Sequence, residues 1–268
     1  MARVEGTQFF LGDTEVASAV GEDLVAFNTF IPPLSITYLI VAGGGGGGAI
    51  GGTGAYAGGG AGGVIESSSI IQPGTYPVTI GAGGAIGANG TNSTFLSKTA
   101  LGGGQGGDVT VEEGSNGGSG GGAYISSGGT LYTPGNGLQP TSTDGGYGND
   151  GSSGIRITVG NFYGGSGGGA GSAAGNQSAG GGLAPGQFQN LGYFDVSYGG
   201  PGIYSLGGYA SGGSNTASGS GGFANAAGKS GIVIVKYQSN EPVATGGIIE
   251  SGSGWIYHKF NGNENFIY

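Results

Sequence analysis

Residues 43–48 are six glycines in succession, and that run limits what the whole chain can become. Such a stretch has no side chain to bury and loses more backbone freedom on folding than any other, so order must come from its own N–H and C=O groups. The conformation that suits it is the extended polyproline-II-like helix. With three residues per turn and no internal hydrogen bonds, it turns every polar backbone group toward a neighbour. Glycine-dense runs recur at residues 58–63 and 102–107, but the spacing is irregular, which excludes the strict Gly-X-Y of a collagen triple helix.

Glycine makes up 73 of 268 residues and proline 9, a level that by itself signals disorder. Two features oppose that reading. Charged residues are only 8 %, whereas disordered chains owe their solvation to high charge, and the chain carries Tyr 14 and Phe 11. A weakly charged, aromatic-bearing chain needs a defined fold to stay out of aggregates. The net charge of −9 with six basic residues gives no cationic footprint for phosphates, so nucleic acid is not an expected partner. Without cysteine there is no disulfide framework and no Cys-based zinc site. The amino terminus lacks the apolar core of a signal peptide, and no stretch of about 18 apolar residues could span a bilayer. A soluble protein made in the cytoplasm, without membrane insertion, is expected.

Texture divides the chain into residues 1–37, a β-type attachment region; 38–237, the glycine-rich body; and 238–268, a β-type tail. Candidate strands are rich in β-branched and aromatic residues: 9–11, 25–27 and 36–41 at the start; 63–65, 76–80, 108–111 and 155–159 in the body; 232–237 at its end; and 254–260 in the tail. Apolar residues never recur with helical spacing over a useful window, so few or no α-helices are expected. Residues 38–42 and 232–237 are both unbroken apolar runs of the kind buried on two faces, and pairing between them would clasp the base of the body. The expected fold is mainly irregular and β, a bundle of polyglycine-II helices clasped by short strands.

Several segments resemble a known family. Thr29 and Phe30 lead through Pro32 into Tyr38-Leu-Ile-Val-Ala-Gly-Gly-Gly-Gly-Gly-Gly48. Gln72-Pro-Gly-Thr-Tyr-Pro-Val-Thr-Ile-Gly-Ala-Gly-Gly84, Ser230-Gly-Ile-Val-Ile-Val-Lys-Tyr237, Ala244-Thr-Gly-Gly-Ile-Ile249 and Gly254-Trp-Ile-Tyr-His-Lys-Phe260 follow in order. Together they resemble the glycine-rich domain of bacteriophage and marine-virus tail proteins. Phe9-Phe-Leu-Gly-Asp-Thr-Glu-Val16 is similar to a short phage structural segment. The resemblance implies a virion protein, assembled in the host cytoplasm and extracellular after lysis, whose glycine-rich helices display loops toward a host surface. In relatives the closing motif often leads into another glycine-rich module, whereas here Tyr268 follows soon after, which suggests a terminal strand in an assembly.

Catalytic chemistry has little to build on, and no enzymatic activity or cofactor is expected. His258 is the single histidine and is read as structural or surface, since without cysteine a triad or zinc site would rest on it alone. Residues 223–230 approach a phosphate loop, but Phe223 stands where its first glycine belongs. Residues 103–108 and 145–150 match part of a calcium-binding repeat, yet the apolar position fails at Thr110 and Ser152, which leaves Asp-containing turns and no metal site. Glu112, Glu113 and Asp144 could serve a glycosidase-like depolymerase, but paired carboxylates in sequence are usually a solvated turn.

Residues 187–209 are dense in aromatics, and Phe188, Tyr193, Phe194, Tyr198, Tyr204 and Tyr209 are the receptor-binding candidates, rigid rings suited to a host-surface glycan or an outer-membrane protein. The same rings could instead plug gaps between glycine helices. Phe9, Phe10 and Leu11 are the virion-attachment candidates. The leading expectation is a tail fibre or tail-tip adhesin, a homo-oligomer with a trimer among the options, contacting other virion proteins. The alternative is a decoration or connector protein without a receptor. An ice-binding or matrix protein ranks third.

Overall fold

The computed structural model describes residues 2–5, 8–11, 14–18, 31–49, 54–158, 161–171, 174 and 225–268. It divides the chain into two compact units, Met1–Pro33 and Leu34–Tyr268. In the first, strands β1 (Ala2–Glu5), β2 (Gln8–Leu11) and β3 (Thr14–Ser18) form an antiparallel sheet in that order, with Val4 opposite Phe9 and a register shift between Phe9 and Phe10 against β3. The expected strand at 9–11 is therefore β2.

The second unit holds β4 (Leu34–Val41), β5 (Gly54–Ala55), β6 (Val64–Ile71), β7 (Thr75–Val78), β8 (Ser93–Phe95), β9 (Lys98–Ala100) and β10 (Ile125–Ser126). After these come β11 (Ile155–Thr158), β12 (Asn161–Tyr163), β13 (Ile232–Gln238), β14 (Ile248–Gly252), β15 (Trp255–Phe260) and β16 (Glu264–Ile267). A single 3-10 turn at Gln139–Thr141 is all the helix among the described residues, as the absence of helical periodicity implied.

The organising element is a five-stranded antiparallel sheet in the order β14-β15-β13-β4-β6. At its centre the expected clasp is present: Ile232 faces Val41, Val233 faces Ile40, Ile234 faces Leu39 and Val235 faces Tyr38. These runs are unbroken because the sheet is covered on both sides. Alternate residues Ile36, Tyr38, Ile40, Val233, Val235 and Tyr237 pack on one side with Val78, Phe95 and Phe266. Leu39, Val41, Ile232 and Ile234 pack on the other with Ala61, Val64 and Ala170, small residues that let the glycine-rich body come close. Each fully buried Ile or Val contributes about 1.5–3 kcal/mol. Residues 238–268 share this sheet: β15 lies beside β13, with His258 opposite Val235.

The buried run 42–48 hydrogen-bonds in rotation. Gly43 and Gly46 donate to Thr91 and Ala88 at 3.1 and 2.8 Å, Gly44 and Gly47 to Lys229 and Ala226 at 2.9 Å, and Gly45 and Gly48 to Gly60 and Ala57 at 2.9 Å. Donors three residues apart thus address one neighbouring segment, and consecutive donors address different ones. The carbonyls follow the same rule, accepting from Gly103 and Gly106 at Gly43 and Gly46, and from Gly84 and Gly87 at Gly44 and Gly47. Buried backbone polar groups must find partners, and here glycine segments supply them to each other.

One expectation is corrected. Residues 108–111 form no strand, because the Asp108 carboxylate takes the N–H groups of Thr110 (2.7 Å) and Val111 (2.9 Å), and that local turn displaces a ladder. At the end of the chain β16 pairs with β7, and Ile267 bridges Thr245.

Candidate functional site

Of the receptor-binding residues expected from sequence, Phe188, Tyr193, Phe194, Tyr198, Tyr204 and Tyr209 lie outside the described residues. Phe9, Phe10 and Leu11 sit on β2 in the first unit.

The structure assembles a different aromatic group from three loops. Tyr124 lies between Tyr56 and Tyr132, with centroids 5.8 Å apart at 48° on one side and 6.0 Å apart at 30° on the other. Tyr124 is held by the glycine lattice: its N–H donates to the Glu112 carbonyl at 3.0 Å, and the next residue opens β10. At the outer end the Tyr132 hydroxyl donates to Glu112 Oε1 at 2.8 Å. That bond, with burial and the Glu112 charge behind it, pushes the Tyr132 phenol above its ordinary range. Burial, then Tyr56 and the Glu112 and Asp108 carboxylates, do the same to Tyr124. Both phenols are thus neutral donors at physiological pH. Exposed Val111 and Leu131 flank the ladder in sequence. Tyr124 itself is buried, so the surface here is made by the half-buried Tyr56 and Tyr132 with exposed Val111 and Leu131, and the Glu112 carboxylate is already engaged.

The chemistry-bearing side chains are dispersed. Asp144 pairs with Lys98 at 3.2 Å and accepts the Thr99 N–H at 2.8 Å. Asp108 is the Asp-containing turn expected at 103–108. Burial favours its protonated form, but donors from Val111, Thr110 and Ala49 outweigh this and hold it below the ordinary carboxylate range. Asp150 accepts the Gly137 N–H at 2.7 Å. The described part of the phosphate-loop-like stretch, residues 225–230, is woven into the glycine lattice, with Gly228 donating to Gly84 at 2.9 Å. Among the described residues no three acidic or imidazole groups cluster as metal ligands.

His258 is fully buried. Its Nδ1 lies 2.7 Å from the Gly246 carbonyl, so that nitrogen carries the proton, and Nε2 accepts from the Tyr237 hydroxyl at 3.1 Å. Tyr237 in turn accepts the N–H groups of Val243 and Ala244 at 3.1 and 3.3 Å. The strand position of His258 is readable in the sequence; its partner, 21 residues away, is not.

A sequence model of the family described as a glycine-rich domain matches residues 23–238. The chain belongs to that family. No curated protein and no solved structure matches this glycine-rich domain chain. The matched span opens ahead of β4 and closes on β13, so the clasp bounds the glycine-rich domain at both ends.

The buried imidazole should make folding of the unit Leu34–Tyr268 pH-dependent. Burial lowers the His258 pKa from its ordinary 6.5, with the Gly246 bond opposing. The unfolded chain therefore binds the proton more readily, and stability falls as pH drops from about 6.5 toward the depressed value. Asp108, also depressed, acts only below its ordinary 3.8. Thermal melting should hold level above pH 7 and fall between about pH 6.5 and 5. Tyr237→Phe should cost about 1–3 kcal/mol at neutral pH by stranding the buried Ala244 N–H and the part-buried Val243 N–H. A melting temperature flat from pH 7 to 5 would remove His258 from this role.

Proposed function

We propose that the chain is a structural protein of a bacteriophage particle, a tail fibre or tail-tip adhesin. In this reading the glycine-rich body is a bundle of polyglycine-II helices that holds aromatic loops toward the host surface. The three-residue recurrence of its hydrogen bonds supports the bundle, since three residues per turn brings every third donor to the same neighbour. The observation that carries the adhesive role is the pair of half-buried rings Tyr56 and Tyr132, braced by the buried Tyr124 between them and accompanied by exposed Val111 and Leu131. Such rings give contact area at low entropic cost. The unit Met1–Pro33 would carry attachment to other virion proteins through Phe9, Phe10 and Leu11, and homo-oligomerisation is part of the proposal.

Antibodies against the purified protein should label intact particles, and the protein should compete with particles for adsorption to host cells. Leu131→Ala with Tyr132→Ala should weaken that competition by about tenfold or more, as loss of an aromatic anchor does. The parallel replacement of Tyr193, Phe194 and Tyr198 by alanine tests the segment singled out from sequence. Particles that never label overturn the virion assignment. Labelling without competition leaves the protein as a connector or decoration component.

A further inference from the structure

A cleft of about 700 Å³ opens where the end of β6 meets β7 and the β8–β9 hairpin, away from the tyrosine ladder in the sequence and sharing no residue with it. We propose that it is a binding site for a neutral saccharide. The proposal requires nothing of the virion reading.

No carboxylate, ammonium or guanidinium lines the cleft. The nearest charges in sequence, Lys98 and its partner Asp144, neutralise each other at 3.2 Å, and Asp144 is further occupied by the Thr99 N–H. An ionic ligand would find no counter-charge. The polar lining is instead hydroxyl and amide, from Ser69, Gln72, Thr94, Ser97 and Thr99. Hydroxyls both donate and accept, as the hydroxyls of a sugar do.

The apolar lining complements this. Ile70 is 71 % exposed, more than any other large apolar side chain among the described residues. Tyr76 stands beside it with its hydroxyl donating to the Gln72 carbonyl at 2.6 Å, which fixes the ring against the cleft wall. A pyranose ring presents C–H faces and hydroxyl edges, so it matches a wall that mixes an aromatic face, an aliphatic side chain and unspent hydroxyls.

Backbone strain is a second observation at the same place. The two-residue β8–β9 connection puts Leu96 at φ 49° and Ser97 at φ 62°, the geometry for which hairpins normally use Asn-Gly. Residues with side chains held there are costly, and such strain gathers at ligand-binding positions. Here it sets Leu96 and Ser97 on the cleft wall.

The test is isothermal titration of the full chain with maltohexaose, xylohexaose and chitotetraose as neutral probes, and a heparin-derived hexasaccharide as the anionic one. At least one neutral probe should bind saturably and the anionic probe should not. Tyr76→Ala should weaken binding about tenfold or more. Ile70→Glu, at a surface position that tolerates polarity, should do the same with an unchanged melting temperature. Replacing Leu96-Ser97 by Asn-Gly should raise the melting temperature while weakening binding. Absence of saturation with every neutral probe, equal binding of the heparin fragment, or full affinity in Ile70→Glu each overturns the site. Particle labelling is unaffected by any of these outcomes, so failure here is distinct from failure of the virion reading.

Discussion

Gly45→Ala should abolish the fold or remove about 3 kcal/mol or more of stability, read as a collapse of the urea midpoint. A Cβ at Gly45 would lie closer than 3.0 Å to the carbonyl groups of both Gly103 and Gly104. Those atoms are backbone, and Gly103 and Gly104 are themselves tied: the Gly103 N–H donates to Gly43 and the Gly104 N–H to Ser119. Nothing flexible can move aside, so overpacking there propagates through segments that share hydrogen bonds. The control is Gly262→Ala. That glycine has nothing within 4 Å of a Cβ and no positive φ, so its replacement should shift stability by no more than about 0.5 kcal/mol. Equal behaviour of the two variants would mean that glycine in this body is a matter of composition and not of close approach.

The same contrast explains what could be read from residues alone. Unbroken apolar runs at 38–42 and 232–237 demanded burial on two faces, so their pairing as a clasp was legible, while its antiparallel direction and register came only with the structure. Glycine runs demanded neighbours for their N–H and C=O groups, though not which neighbours: Gly44 finds Lys229 from the far end of the body. Short elements were invisible. The β8–β9 hairpin has three residues on each side, and Leu96-Ser97 carries none of the Asn-Gly chemistry that advertises such a turn. At 108–111 the alternation of Val109 and Val111 around Thr110 imitated a strand, while the deciding interaction was a carboxylate two residues back. The tyrosine ladder was beyond reach for another reason. Tyr56, Tyr124 and Tyr132 are isolated in their own segments, and long-range packing alone brings them within 6.0 Å of each other in succession.

The second large effect is expected at Phe266, on β16. Its ring is fully buried and meets three others nearly edge-on: His258 at 5.0 Å, Phe95 at 6.2 Å and Phe260 at 6.5 Å. These belong to β15 and β8, while Phe266 itself pairs through β16 with Tyr76 on β7, so one side chain joins the central sheet to the small sheet that covers it. Phe266→Ala should cost about 3–5 kcal/mol, the range for emptying a buried aromatic site. Its neighbour Ile267, 45 % exposed, should cost under about 1 kcal/mol when truncated. The variant carries a second signature. The imidazole of His258 stays neutral chiefly because it is kept from water, and removing the ring set edge-on against it should admit water to that site. Acid sensitivity between about pH 6.5 and 5 should therefore shrink in Phe266→Ala while overall stability drops. A variant as acid-sensitive as the parent would show that the Gly246 and Tyr237 contacts govern the imidazole and the ring does not.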